Sequence, residues 1–173
     1  MPKDELPEWE EKAKEILSEL SFPLELVNSS PFKLSGGQKR KVTLAGILIL
    51  EPKVIVFDEP TLGLDPQSTE QVIELVRELN NKGVTIILVS SNMDFIFEST
   101  DQILFLNSGR LQASKPTYLF FRECPKELIK PKVVSFIEKL SSFNSCFEKL
   151  WEYQPKNISQ LAESINNVVR NFS

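Results

Sequence analysis

The 173-residue sequence lacks histidine and has only two cysteines, Cys124 and Cys146. Without histidine it has no Ser-His-Asp triad and no imidazole base. Two cysteines alone cannot make a four-ligand zinc site of the usual kind, so we interpret them as two buried thiols in a reducing compartment. Glycine is also scarce: there are six glycines, and none comes before Gly36. These residues therefore contain no phosphate-binding loop of the GxxxxGK[ST] type.

Long apolar runs are missing as well. The longest, from Leu44 to Leu50, is interrupted by Gly46 and falls far below the roughly 18 residues that span a bilayer. The acidic N-terminus lacks the pattern of a secretory signal. A net charge of −4 argues against a nucleic-acid partner, and the short basic run 39–41 is typical of a solvated helix face. We expect a cytoplasmic protein, unless a partner holds it at a membrane.

Hydrophobic periodicity predicts alternating strands and helices, which is α/β order with a largely parallel sheet. The apolar runs "VIVF" and "VTIILVS" are typical of strands buried on both faces. From about residue 115 the pattern becomes mainly helical, broken by Pro125, Pro131 and Pro155. We therefore predict two parts, 1–115 and 116–173. The predicted elements are helices 9–20, 35–50, 67–81 and 93–99, and strands 54–57, 84–90, 102–107 and 110–114.

Two acids follow the first predicted strand, in "VIVFDEP". Open α/β sheets bind ligands at the carboxyl ends of their strands, so Asp58 is a candidate for Mg²⁺ and Glu59 for the water that attacks a phosphate. The alternative is an ordinary acidic turn between a strand and a loop.

Two adjacent glycines, within "LSGGQ", open the predicted helix 35–50. Glycine lets a backbone approach a phosphate closely, and the free amides and dipole of a helix start favour an anion. Ser35 suits both a helix cap and a hydroxyl donor to the same anion. A plain Ser-Gly-Gly turn remains the alternative for this motif by itself.

Together these motifs resemble a known family. "LSGGQKR", then "VIVFDEP" about twenty residues later, then directly "TLGLDP", is similar to the signature motif, Walker B strand and D-loop of ATP-binding-cassette (ABC) ATPases. The whole stretch 34–66, "LSGGQKRKVTLAGILILEPKVIVFDEPTLGLDP", looks most like the ATPase subunits of energy-coupling-factor (ECF) importers of vitamins and metal ions. The resemblance implies a partial P-loop NTPase sheet, mainly parallel with a C-terminal hairpin, plus a mostly helical C-terminal segment that serves dimerisation in the family.

The resemblance also implies roles for residues in a dimer that sandwiches two ATP molecules. Residues Ser35, Gly36, Gly37 and Gln38 would contact the γ-phosphate of ATP held by a partner cassette. On the chain's own side, Asp58 would serve Mg²⁺, Glu59 would be the general base, and Asp65 would couple the two sites. The partners of the chain would be a second cassette, identical or different, and an integral membrane subunit, at the inner face of the cell membrane.

The sequence departs from the family in lacking the P-loop, so it corresponds to the C-terminal half of a cassette. ATP and Mg²⁺ binding would then need a partner that carries a P-loop. In the family the P-loop strand lies between the strands corresponding to 84–90 and 102–107, and both would lose a neighbour here. Unpaired strand edges invite a partner, so a separate N-terminal half would complete the sheet unless the chain is an incomplete product.

A second departure is at the family's switch histidine, where this chain has Ser91 in "VSSNMD". Serine can bond a phosphate but cannot carry charge as an imidazole does. We therefore predict weak or no ATP hydrolysis, and none by the chain alone.

Two alternative functions stay open: a degenerate, non-catalytic cassette remnant or interaction domain, and the ATPase head of a chromosome or DNA-repair protein. The latter would need a long coiled coil before the signature, and helix 9–20 is too short for one.

Overall fold

A computed structural model describes residues 6–125 and 128–171 of the protein. These residues belong to two compact units: one holds the residues up to Val56 together with Asp65–Ile87, and the other holds Phe57–Leu64 together with the residues from Leu88 onward. The helices are α1 (Leu6–Glu19), α2 (Gly36–Leu48), α3 (Pro66–Asn81), α4 (Met93–Ser99), α5 (Thr117–Glu123), α6 (Lys132–Phe143), α7 (Leu150–Tyr153) and α8 (Ile158–Arg170); the strands are β1 (Val54–Asp58), β2 (Thr85–Val89), β3 (Gln102–Asn107) and β4 (Arg110–Pro116).

The ends of the helices follow from local chemistry. Helix α3 begins at Pro66, where the missing N–H of proline costs nothing, and Asp65 caps it. Helix α4 is capped by Asn92. In the C-terminal region, α6 begins directly after Pro131, as the proline pattern predicts. The predicted elements up to residue 114 are all present, with ends shifted by a few residues.

The core of the first unit joins α1 to α2. The buried side chains of Leu17, Phe22, Leu34 and Ala45 form one cluster. Helix α3 has its own buried stripe, with residues at helical spacing. That stripe contains Val72, Ile73, Val76 and Leu79. Because Leu34 is buried in the α1–α2 cluster, it anchors the chain immediately before the start of α2.

The second unit is built around aromatic rings. Phe97 of α4 packs against two rings of α5, with centroids 5.5 Å from Tyr118 and 5.7 Å from Phe121. Burial raises the pKa of the Tyr118 phenol. The Lys156 ammonium donates to the backbone carbonyls of Phe97 and Thr100, at 3.3 and 2.8 Å. These contacts attach the segment before α8 to the C-terminal end of α4.

The strands form two separate two-stranded sheets within the described residues. Hydrogen bonds from Thr85 N to Lys53 O and from Glu59 N to Val89 O make β1 and β2 parallel, because both partners advance together along the chain. Strands β3 and β4 form the predicted antiparallel hairpin, with an irregularity between Phe105 and Leu106. The α/β prediction, with a hairpin and a helical C-terminal segment, is confirmed.

The prediction that the first two strands are buried on both faces is wrong. Only Ile55 is buried in β1, and β2 alternates between exposed and half-buried residues. The reason is that each sheet of the described residues has packing on one face only: Val56 is 62% and Leu104 is 63% exposed. Among the described helices, none has the length and apolar character needed to cross a bilayer.

Candidate functional site

The start of α2 is fixed by a reciprocal pair of hydrogen bonds. The Gln38 amide donates to Ser35 Oγ at 3.2 Å, and the Ser35 amide donates to the side-chain oxygen of Gln38 at 2.9 Å. This capping box satisfies two of the amide groups near the helix start that lack helical partners. In the described part of the chain, no group accepts a hydrogen bond from the amides of Gly36 and Gly37.

The two glycines that begin α2 are not needed for packing. A Cβ atom added at Gly36 or Gly37 would meet no atom within 4 Å beyond its chain neighbours and the nearby backbone of its own helix, and neither residue has a positive φ. Both lie exposed in the first helical turn, where glycine stabilises a helix less than alanine does. The fold of this chain therefore gives no reason for glycine at either position, whereas close approach by another molecule would.

The positive charge around the start of α2 also destabilises this helix when no anion is bound there. The first turn contains no acidic residue, and Lys39, Arg40 and Lys41 follow directly. Positive charge near the N-terminal end of a helix opposes the macrodipole, and a bound anion would reverse that effect. The arrangement therefore suits an anionic ligand brought to the exposed amides.

Asp65 lies in the same unit as the start of α2 and caps α3. Its carboxylate accepts the Ser68 amide at 2.8 Å and the Ser68 hydroxyl at 3.1 Å. These hydrogen bonds hold the pKa of Asp65 below its ordinary value. The Asp65 side chain thus serves as the N-cap of α3, and this role is compatible with a second role at an interface.

The acids predicted at the end of β1 differ in their surroundings. Asp58 is exposed at the last position of the strand, whereas Glu59 is half-buried. The Glu59 backbone has φ 44°, in the left-handed region that non-glycine residues seldom adopt, and its amide donates to Val89 O at 2.8 Å. The turn after β1 is therefore held in a strained conformation beside the end of β2.

Both carboxylate oxygens of Glu59 accept hydrogen bonds from the loop after β2. The Ser90 hydroxyl donates to Oε2 at 3.0 Å, and the Ser91 amide donates to Oε1 at 2.8 Å. The structure thus brings together Glu59 and Ser91, two of the predicted residues. Ser90 was not among the predicted site residues; the available signal was its place at the end of the predicted strand 84–90, beside Ser91.

Asp58 fits a magnesium ion only in company with other ligands. In the chain segments that the structure describes, no three acidic or sulfur-bearing side chains form a metal-binding group. Mg²⁺ commonly takes one or two carboxylates and completes its shell with water and substrate phosphates. A single exposed carboxylate at Asp58 suits that arrangement and would hold little metal without a nucleotide.

The predicted residues are divided between the two units. Residues 35–38 and Asp65 lie in the first, and Asp58, Glu59 and Ser91 lie in the second. The described geometry therefore consists of two constellations: an exposed helix start with an anion preference, and a carboxylate held by a serine loop.

Known proteins resemble the chain over most of its length. The energy-coupling factor transporter ATP-binding protein EcfA2 of Mycoplasmoides gallisepticum is 36% identical over 165 residues, which cover 92% of this chain and 52% of that protein. The chain thus spans about half the length of the curated relatives it matches. A family model described as "AAA domain, putative AbiEii toxin, Type IV TA system" matches residues 12–93, fewer than half of the 173.

Solved structures give a similar result. Clostridium perfringens cbiO1, described as part of the ABC transporter complex cbiONQ, superposes with a TM-score of 0.62 at 27% identity, covering 88% of this chain and 55% of cbiO1. A dimeric ATP-binding cassette, MJ0796, bound to ADP and Pi, superposes with a TM-score of 0.54 at 27% identity, covering 68% of this chain and 49% of that one.

Proposed function

Because the chain is a homologue of ECF transporter ATP-binding proteins and has part of the ABC cassette fold, we propose that it contributes its signature segment to ATP bound by a partner cassette. On this proposal, residues 35–38 close over the γ-phosphate of a nucleotide held by the other subunit. The observation that carries the proposal is the exposed glycine pair, which nothing in this chain's own packing requires.

The helix start supplies the chemistry for that contact. The amides of Gly36 and Gly37 point out of the first turn of α2 as donors for phosphate oxygens. The Ser35 hydroxyl already accepts the Gln38 amide and keeps its hydrogen for donation. Lys39 and Arg40 add positive charge within the first two turns.

On the chain's own side of the dimer, Asp58 would face the Mg²⁺ of a nucleotide and Glu59 would be the general base. Asp65, which caps α3, would couple the two sites. With ATP bound, Mg²⁺ would neutralise charge on the phosphates. Ser91 occupies the position of the family's histidine and cannot carry charge, so we expect weak or no hydrolysis at this side, and none by the chain alone.

The proposed cellular role is based on the similarity to these relatives. The chain would lie in the cytoplasm, at the inner face of the cell membrane, and would bind an integral membrane subunit and a second cassette, identical or different. The dimeric MJ0796 cassette supports the pairing. ATP binding across the dimer would then power the import of a vitamin or a metal ion, with no nucleic acid involved. The helical segment 116–173, which lies in the second unit together with α4 and the hairpin, would support dimerisation.

The other half of a cassette would cover the exposed sheet faces. Leu104, Leu106 and Leu111 are each more than half exposed, and Leu106 and Leu111 are direct partners in the hairpin. Val56 of β1 is also exposed. Apolar faces of this kind mark interfaces, and the matched relatives are about twice as long as the aligned segment. The proposal holds whether that half belongs to the same polypeptide or to a separate N-terminal chain.

The signature role is tested by ATP-dependent association. The 173-residue chain would be mixed with full-length Mycoplasmoides gallisepticum EcfA2 whose own signature is disabled, and association would be measured by light scattering with and without ATP. We expect association with ATP only. Gly37→Asp should abolish it, because it places a negative charge against the phosphate. Gly46→Asp, at another exposed glycine of α2, is the matched control and should have no effect.

Two results would contradict the signature role. If Gly37→Asp and Gly46→Asp weakened association equally, the effect would come from the helix and not from its start. If no ATP-dependent association occurred with the unchanged chain, a non-catalytic remnant would be the better description.

A separate experiment tests whether the other half of a cassette covers the exposed sheet faces. The part of EcfA2 outside the alignment would be expressed separately and tested for capture by this chain. Leu104→Asp should prevent capture, because it puts a charge on the proposed apolar interface. Phe143→Asp changes a side chain that is 92% exposed on α6 and serves as the control. Capture that survives Leu104→Asp would remove the hairpin face from the interface.

A further inference from the structure

The carboxylate of Glu59 is held by a continuous set of hydrogen bonds that starts in the core of the second unit. Helix α4 carries the buried side chains Phe95 and Phe97. Its N-cap residue, Asn92, accepts the Phe95 amide at 3.1 Å. The Asn92 amide in turn donates to the Ser90 hydroxyl oxygen at 3.1 Å. The position of Ser90 is therefore set by the packed start of α4.

The direction of the Ser90 hydroxyl follows from these partners. Since its oxygen accepts the Asn92 amide, its single hydrogen remains for the second neighbour, Glu59 Oε2 at 3.0 Å. Hydrogen bonds to a charged acceptor are stronger than those between neutral groups. The Ser91 amide occupies the other oxygen of the carboxylate. Each of the two oxygens thus has one donor from the same loop.

The intrinsic backbone preferences of Glu59 do not favour this conformation. Its φ of 44° is unfavourable for a residue with a side chain, and Pro60 follows it. Such a conformation persists where the surroundings hold it, and it occurs often at functional sites. The bond from the Glu59 amide to Val89 O fixes the backbone, and the serine loop fixes the side chain.

We propose that Ser90 is a positioning residue for Glu59: with the Ser91 amide, its hydroxyl fixes the orientation of the carboxylate, which depends here on the serine loop 90–92 and not on a histidine. The importance of that orientation for ATP rests on the proposed function. The contact itself belongs to this chain and can be tested without nucleotide, so failure of one proposal is distinguishable from failure of the other.

The test is amide hydrogen exchange measured by NMR on the full ¹⁵N-labelled chain. Ser90→Ala should speed exchange of the Ser91 amide by about tenfold, because Glu59 loses one of its two tethers and its carboxylate leaves the amide more often. Exchange at Asn92 should also increase. Ser90→Thr keeps a hydroxyl and should restore both rates.

Controls separate positioning from general stability. Ser142→Ala removes a hydroxyl that donates to a backbone carbonyl elsewhere in the same unit, and it should leave the Ser91 amide unchanged. Exchange of the Ile137 amide, in the buried helix α6, reports on the whole unit and should stay constant in every variant. If Ser90→Ala changed the Asn92 amide alone, Ser90 would only order the loop, and the proposal would be overturned.

Discussion

Ser35 and Gln38 bond to each other in both directions at the start of α2: the backbone of each donates to the side chain of the other, at 2.9 and 3.2 Å. This pair defines a helix start whose next two residues are both glycine. The cap compensates for part of the flexibility that the glycines introduce. A helix that is costly to start therefore begins at a fixed residue and leaves its first amides exposed.

Removing the cap should destabilise the first unit. Ser35→Ala deletes the acceptor of the Gln38 amide, and loss of an N-cap costs about 1 kcal/mol. Urea unfolding followed by circular dichroism measures this loss. Ser35→Thr retains a hydroxyl and should recover most of the stability. A Ser35→Ala variant as stable as the unchanged chain would show that the capping box does not stabilise α2.

Filling the glycine position should have the opposite effect on stability. Gly37→Ala meets no neighbour and needs no change in φ, so we expect a gain of roughly 0.5 kcal/mol in the free energy of unfolding. ATP-dependent association with EcfA2 should weaken at the same time. Gly63→Ala is the contrasting variant and should destabilise, because Gly63 has φ +72°. Unchanged association in Gly37→Ala would count against a close phosphate approach.

The stability should depend on pH through Asp65. Its folded-state pKa is lowered, first by the Ser68 amide, so its contribution is complete above the unfolded pKa of about 3.9 and is lost as pH falls through the lower folded value. Asp65→Asn keeps a capping oxygen without the charge. Unfolding midpoints between pH 6 and pH 2 should therefore fall less steeply for Asp65→Asn. Parallel curves for the two proteins would contradict this assignment.

The two cysteines should react at different rates. Cys124 is buried, and burial raises the pKa of its thiol, which lowers the fraction of reactive thiolate at a given pH. Cys146 is half-buried, which differs from the sequence-based interpretation of two buried thiols. Iodoacetamide at pH 8, followed by peptide mass spectrometry, should modify Cys146 first. Equal rates in the folded chain, or faster reaction at Cys124, would show that burial does not control reactivity.

The core of the second unit should depend on Ile137. Its side chain is fully buried, so Ile137→Ala should lower the free energy of unfolding by about 2–5 kcal/mol. Phe143→Ala, near the end of the same helix, removes a larger but exposed side chain and should change it by less than about 0.5 kcal/mol. Chemical denaturation compares the two variants, and similar losses would contradict the described burial.

Some elements were predictable because their signals are local. Strand β3 has the predicted bounds, since an apolar run ends there in the turn signal "NSG". Helix α3 begins one residue earlier than predicted because proline is compatible with a first helical turn. The burial of β1 and β2 was not predictable, because an apolar run shows that a strand suits an interior without showing what covers it.

By itself, the sequence determined the order of helices and strands, the capped glycine start of α2 and the three motifs that identify its relatives. Each of these depends on residues close together in the chain, where backbone sterics and hydrogen bonding decide the outcome. Only the tertiary structure placed Ser90 on Glu59, a contact between residues 31 positions apart, and left one face of each sheet exposed. Both depend on which strand ends meet in space, and no local pattern records that.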